Sequence, residues 1–125
     1  MRVKKMQIKI QSFEEGMDEA TKVIQDLEAG KKVKPRHILA FESLDVMRKF
    51  LTLQRQILLR VIRRKKPQSV YELAKIVGRD RKAVTEDLKV LEEMGLVTFE
   101  TTVYNGRARS KPVSTYDIVR LEFIL

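Results

Sequence analysis

The 125-residue sequence predicts an α+β fold, on three observations. Apolar residues alternate with polar ones near both ends, at Met6, Ile8 and Ile10 and again at Val119, Leu121, Phe123 and Leu125, which is the period of a strand with one buried face. Between these ends lie segments with apolar spacings of three and four residues, several of them preceded by a serine or threonine that can cap a helix. Finally, Asn105-Gly106 separates two short segments of strand-like composition, and both turn residues tolerate the positive φ of a tight hairpin.

The elements follow in order. After the first strand, Ser12 stands three residues before Glu15, the spacing of a capping box. Phe13, Met17, Ala20, Ile24 and Leu27 then recur at steps of four, three, four and three, so the helix carries one narrow apolar stripe and stops near Gly30. The polar link KKVKP leads into RHILAFES, which reads as a second strand. Residues 1–42 thus form a strand-helix-strand extension. Ser43 can cap a short helix with Leu44, Met47 and Phe50, and Thr52 can cap LQRQILLRVIRRKK. Leu53, Ile57, Leu58, Val61 and Ile62 make this helix apolar over a wide arc, which suits the middle of a core, and Pro67 ends it. Ser69 and Glu72 repeat the capping-box spacing before VYELAKIVG. Asp80 is the expected N-cap of the next helix and Gly95 its stop. A hairpin follows, and residues 114–125 end the chain as a strand.

Residues 43–113 therefore run helix, helix, short turn, helix, hairpin, the order of a winged helix-turn-helix. The fine spacing fits. Ala74 is small where two helices would cross, Gly78 falls in the turn and Val84 anchors the second helix. Asp87 departs from the pattern by placing an acid beside the buried stripe, where Leu88 can take over the packing.

Composition narrows the partner. Twenty-six lysines and arginines against 17 acids give a formal charge of +9, which favours a polyanion, nucleic acid before membrane, and low aromatic content argues against a stacking platform for single strands. With no apolar segment of spanning length and an alternating N-terminus, the expected location is cytoplasmic, without membrane association. The chain has no cysteine and one histidine, His37, in an apolar run, so neither a metal site nor a nucleophilic triad can be assembled easily. Glu14-Glu15 and Glu92-Glu93 read as helix surface. The expectation is a non-enzyme without metal or cofactor.

If Val84, Leu88 and Leu91 are buried, then Arg81, Lys82, Thr85, Glu86 and Lys89 form the outer face of that helix. These side chains suit base edges and phosphates in a major groove, with Arg79 just before them in the turn. The alternative is the solvated face of an amphipathic helix. Beyond the hairpin tip, Arg107, Arg109 and Lys111 alternate and so share a strand face suited to phosphate or minor-groove contact, or to protecting an edge strand. Arg63, Arg64, Lys65 and Lys66 carry less weight, because cations at a helix C-terminus already suit the macrodipole. The stripe Phe13, Met17, Ala20, Ile24, Leu27 is either packed on its own strands or a dimer or partner interface.

The segment Leu51 to Val97 resembles a family of short prokaryotic predicted transcriptional regulators with a MarR-like winged helix, some of them antitoxin-like. The residues that carry the resemblance are Leu51-Thr52, Arg55, Leu58-Leu59, Ser69, Leu73-Ala74, Gly78-Arg79-Asp80, Val84, Asp87-Leu88, Leu91 and Gly95-Leu96. The resemblance implies sequence-specific DNA binding and regulation as a homodimer. It also implies a structural role for the acid at Asp87, for which Arg55 or Arg60 on the preceding helix is the expected partner. Two alternatives share the same elements. One is an antitoxin that regulates its own operon and neutralises a toxin protein through residues 1–42, and the other is a winged-helix adaptor that binds protein alone.

Overall fold

The computed structural model describes residues 3–33 and 37–125. The end of the KKVKP link and Arg36 at the start of RHILAFES lie outside the described residues. The fold is mixed α+β, with β1 (Lys5–Ile10), α1 (Phe13–Glu28), β2 (Ile38–Phe41), α2 (Leu44–Phe50), α3 (Leu53–Lys65), α4 (Val70–Val77), α5 (Arg81–Glu93), β3 (Val97–Tyr104), β4 (Arg107–Ser114) and β5 (Ile118–Phe123).

The chain forms two units. The first combines residues 5–49 with residues 118–125, so the two ends of the sequence meet in one sheet of order β2-β1-β5. All pairing in it is parallel, with Gln7 opposite Ile38 and Arg120, and Ile8 opposite Leu39 and Leu121. Parallel neighbours need a crossover, and α1 supplies the one between β1 and β2. Met6, Ile8 and Ile10 are buried, as their alternation requires. Ser12 accepts a hydrogen bond from the Glu15 N–H at 3.2 Å and so fixes the start of α1. The sequence division at 42/43 and 113/114 differs from this one. The short helix α2 falls with the sheet, with Met47 buried, and the terminal strand rejoins β1.

The second unit is built on residues 50–117. Its core is Leu58, Ile62, Leu73, Ala74, Val84, Leu88, Leu91, Met94, Leu96 and Val97. Thr52 caps α3 by accepting from the Arg55 N–H at 3.3 Å, and Lys66 ends it in the left-handed conformation just before Pro67. Ser69 accepts from the Glu72 N–H at 3.1 Å, while the Glu72 carboxylate reaches back to the Gln68 N–H at 3.2 Å. Gly78 closes α4 at φ 67°, where a side chain would be strained, and the Arg79 N–H bonds the Ala74 carbonyl at 3.1 Å. Three residues, 78–80, therefore suffice to turn the chain from α4 into α5. Asp80 takes the N-cap position of α5 as expected, but among the described residues its side chain makes no capping hydrogen bond. Asn105 and Gly106 both have positive φ, 50° and 76°, which makes the two-residue hairpin turn between Tyr104 and Arg107.

Substitution in this core has a predictable cost. Leu58 on α3 and Leu88 on α5 are 0 % and 1 % exposed, and truncation of either to alanine is expected to destabilise the unit by about 2–5 kcal/mol. Chemical denaturation checks this, and a loss below about 1 kcal/mol would show that these side chains are not core.

Candidate nucleic-acid interface

The periodicity of α5 divides it cleanly. Val84, Leu88 and Leu91 are buried, and Arg81, Lys82, Glu86 and Lys89 are exposed. No acid stands in the first turn of the helix, and the Asp80 side chain does not bond the free backbone N–H groups there. The positive end of the helix dipole and the cations Arg81 and Lys82 therefore reinforce each other. Thr85 is half-buried, and its hydroxyl donates to the Arg81 carbonyl at 2.8 Å. Its donor is thus already used, which leaves the methyl group and the oxygen lone pairs for any contact.

Arg79 is placed differently from the other cations. Its Nη2 lies 2.8 Å from Asp87 Oδ2, while Arg55 Nε donates to Asp87 Oδ1 at 3.1 Å. Side-chain exposures of 25 %, 15 % and 18 % for Arg79, Asp87 and Arg55 show a group largely withdrawn from water. A second donor, Arg55 Nη1, holds the Phe50 carbonyl at 2.9 Å. Asp87 thereby ties the start of α3 and the α4–α5 turn to the middle of α5. Of the two partners expected for Asp87, Arg55 is the one that forms. The second arginine, Arg79, belongs to the expected DNA-contacting set, and the structure places it against Asp87 at the α4–α5 turn.

In the hairpin the register places Arg107, Arg109 and Lys111 opposite Tyr104, Thr102 and Glu100, so the three cations share one face as their spacing requires. They differ in freedom. Arg107 is exposed at the tip; Arg109 lies over the Tyr104 ring, its guanidinium carbon 4.5 Å from the centroid; Lys111 faces Glu100 across the ladder. Stacking on the ring holds the Arg109 guanidinium in place without neutralising it. Tyr104 is a functional candidate that the sequence reading passed over, although an aromatic five residues before an arginine across a two-residue turn is a readable signal.

The stripe Phe13, Met17, Ala20, Ile24 and Leu27 belongs to the other unit. All five residues are exposed, and every residue of α1 is exposed or half-buried. Packing of the stripe on its own strands, one of the two readings of its spacing, is therefore not what the fold does with it. Among the described residues, no group of three or more histidines or acids could hold a metal ion, and no helix is long and apolar enough to cross a membrane.

Residues 50–121 match the model of the HVO_A0114 family. The chain belongs to the HVO_A0114 family. No curated protein is significantly similar to it. The HVO_A0114 segment begins at Phe50, where the second unit takes over from the first, includes α3, α4, α5 and the hairpin, and ends inside β5. It also concentrates the charge. Residues 50–121 hold 15 basic against 8 acidic residues, whereas the rest of the chain holds 11 against 9. The α1 stripe lies outside the HVO_A0114 segment altogether.

Proposed function

We propose that the protein is a homodimeric, sequence-specific regulator of transcription that binds double-stranded DNA through a MarR-like winged helix-turn-helix. In this reading α4 and α5 are the helix-turn-helix, α5 enters the major groove, and the β3–β4 hairpin is the wing. The observation that carries it is the coincidence of the positive excess with the unit whose α5 exposes Arg81, Lys82 and Lys89 opposite a buried Val84, Leu88, Leu91 stripe. Arginine can bond guanine through two donors, glutamate can accept from cytosine N4, and the Thr85 methyl can meet a thymine methyl. Arg107 at the hairpin tip meets phosphate.

Selection from a pool of random duplexes at low salt tests the reading, and recovery of a preferred palindromic sequence is the expected result. Arg81→Ala should then cost about 1–3 kcal/mol on that site and relax the choice of base at one position of each half-site. Equal loss on all sequences would make Arg81 a phosphate contact. Failure to retain any duplex would leave the unit as a protein-binding adaptor.

The exposed α1 stripe supports the two-chain part of the reading, since symmetric dimers read paired half-sites and an apolar stripe of this kind favours a protein partner. Ile24→Glu is expected to give a folded monomer, seen by sedimentation, because it sets a charge in the contact. If the wild-type chain sediments as a monomer, the stripe belongs to a different protein, and capture of a toxin-like partner by the full chain would select the antitoxin form of the same reading.

A further inference from the structure

β5 is an edge strand of unusual character. In the order β2-β1-β5 it has one strand neighbour among the described residues, and all six of its residues are exposed. Val119, Leu121 and Phe123 are 38 %, 53 % and 59 % exposed, although the register aligns them with the buried Met6, Ile8 and Ile10 of β1 on one face of the sheet. Edge strands that stay alone usually carry charged side chains, proline or a bulge. The charges of β5 are one of each sign, Arg120 and Glu122, set between apolar residues, so they can repel a foreign strand yet suit a second copy of this one.

The backbone shows which groups are open. The Ile124 N–H donates to the Ile10 carbonyl at 2.9 Å, and successive residues of a strand aim their N–H and C=O groups to opposite sides. Even-numbered residues of β5 therefore address β1. The amide groups of Val119, Leu121 and Phe123 face the open edge.

We infer that β5 pairs with β5 of a second copy, antiparallel about a two-fold axis at Leu121, to join the two three-stranded sheets into one. This register is complementary with itself in every respect the strand offers. Leu121 meets Leu121, Val119 meets Phe123, and Arg120 meets Glu122 twice, once on each side of the axis. All three outward-facing residues fall in hydrogen-bonded pairs, and the charged residues fall in the non-hydrogen-bonded pairs where cross-strand side chains come closest. A shift by two residues would set Glu122 opposite Glu122 or Arg120 opposite Arg120. Glu122 accepts from the Gln7 side chain of its own chain, and a carboxylate has lone pairs left for the arginine of the other copy. The inference rests on the two-chain part of the proposed function and specifies where its axis runs.

Charge reversal tests it on the full chain. Arg120→Glu alone and Glu122→Arg alone each replace two attractive pairs by two repulsive ones, and each should weaken self-association by about tenfold or more. The first variant carries an acid at both positions and the second an arginine at both. In a mixture, every cross-strand pair between one variant and the other is again of opposite charge, so equimolar mixtures should recover a dimer that neither variant forms alone. Sedimentation reads this, and unchanged thermal transitions of the two variants establish that both are folded. Leu121→Cys gives an independent readout, because the chain has no other cysteine and a hydrogen-bonded antiparallel pair holds its Cα atoms about 5.5 Å apart, within disulfide range. Oxidation should give a covalent dimer with Leu121→Cys and none with Tyr71→Cys, an exposed position in the other unit. A wild-type dimer that Ile24→Glu dissociates, but that both charge reversals leave intact, would overturn the β5 pairing and keep the homodimer. A monomeric wild type would overturn both.

Discussion

Asp87→Ala is expected to destabilise the second unit by about 3 kcal/mol, the largest loss for a single polar side chain in this protein. The reason is the company it keeps. Asp87 lies between two arginines, 3.1 Å from Arg55 Nε and 2.8 Å from Arg79 Nη2, and all three side chains are mostly withdrawn from solvent. Removal of the carboxylate leaves two guanidinium groups close together with little water to screen them, so the cost is the stranded charges more than the lost attraction. For a unit of this size about 3 kcal/mol corresponds to a fall in Tm of roughly 15 °C. Asp87→Asn keeps the shape but loses the charge, and should fall between wild type and alanine. In the double variant Arg55→Met with Asp87→Leu, the stranded partner of α3 goes with the acid, and much of the loss should return. A fall of less than about 3 °C for Asp87→Ala would show that the arginines find water or other acceptors and that Asp87 does not organise the turn.

How Asp87 was legible in the sequence, and how Arg79 was not, shows where sequence reasoning works in this chain. The helices were set by local chemistry: Ser12, Thr52 and Ser69 each accept the backbone N–H three residues on, as their spacing to the following helix foretold. The hairpin was equally local, since Asn105-Gly106 determines its own backbone. The structural role of Asp87, with Arg55 or Arg60 as partner, is what the family resemblance implies, and Arg55 on α3 forms the pair. Arg79, however, stands in a basic run with Arg81 and Lys82, and composition alone groups the three together. Only the path of the turn separates them, by aiming Arg79 back at α5. The same limit applies to the sheet. Alternation identified β1 and β5 as strands, but a pairing that sets Lys5 opposite Ile118 is a non-local choice that no window of sequence contains. The division of the chain into units followed from that pairing, which is why the boundaries moved by several residues on both sides.

Affinity for duplex DNA should fall about a thousandfold between roughly 50 and 200 mM salt. Three exposed cations of each head, Lys82 and Lys89 on α5 and Arg107 at the hairpin tip, are available to phosphate, while Arg81 is kept for a base. Two heads then neutralise about six phosphates, and release of their counterions gives a slope of log affinity against log salt near about −5. Arg79 does not enter this count, because its guanidinium is held 2.8 Å from Asp87, which it shares with Arg55, and is turned toward α5. The slope also counts heads. Arg107→Ala removes one phosphate contact per chain, so the slope should become less steep by about one unit for a monomer on DNA and by about two for a dimer. Its thermal transition should stay unchanged, since the side chain is exposed in the free protein. Arg79→Ala should behave in the opposite way, lowering the thermal transition while leaving the slope near its wild-type value. A flat salt response would remove DNA as the polyanion that this surface meets, and a slope altered by Arg79→Ala as strongly as by Arg107→Ala would return Arg79 to the contact set from which its pairing with Asp87 excludes it.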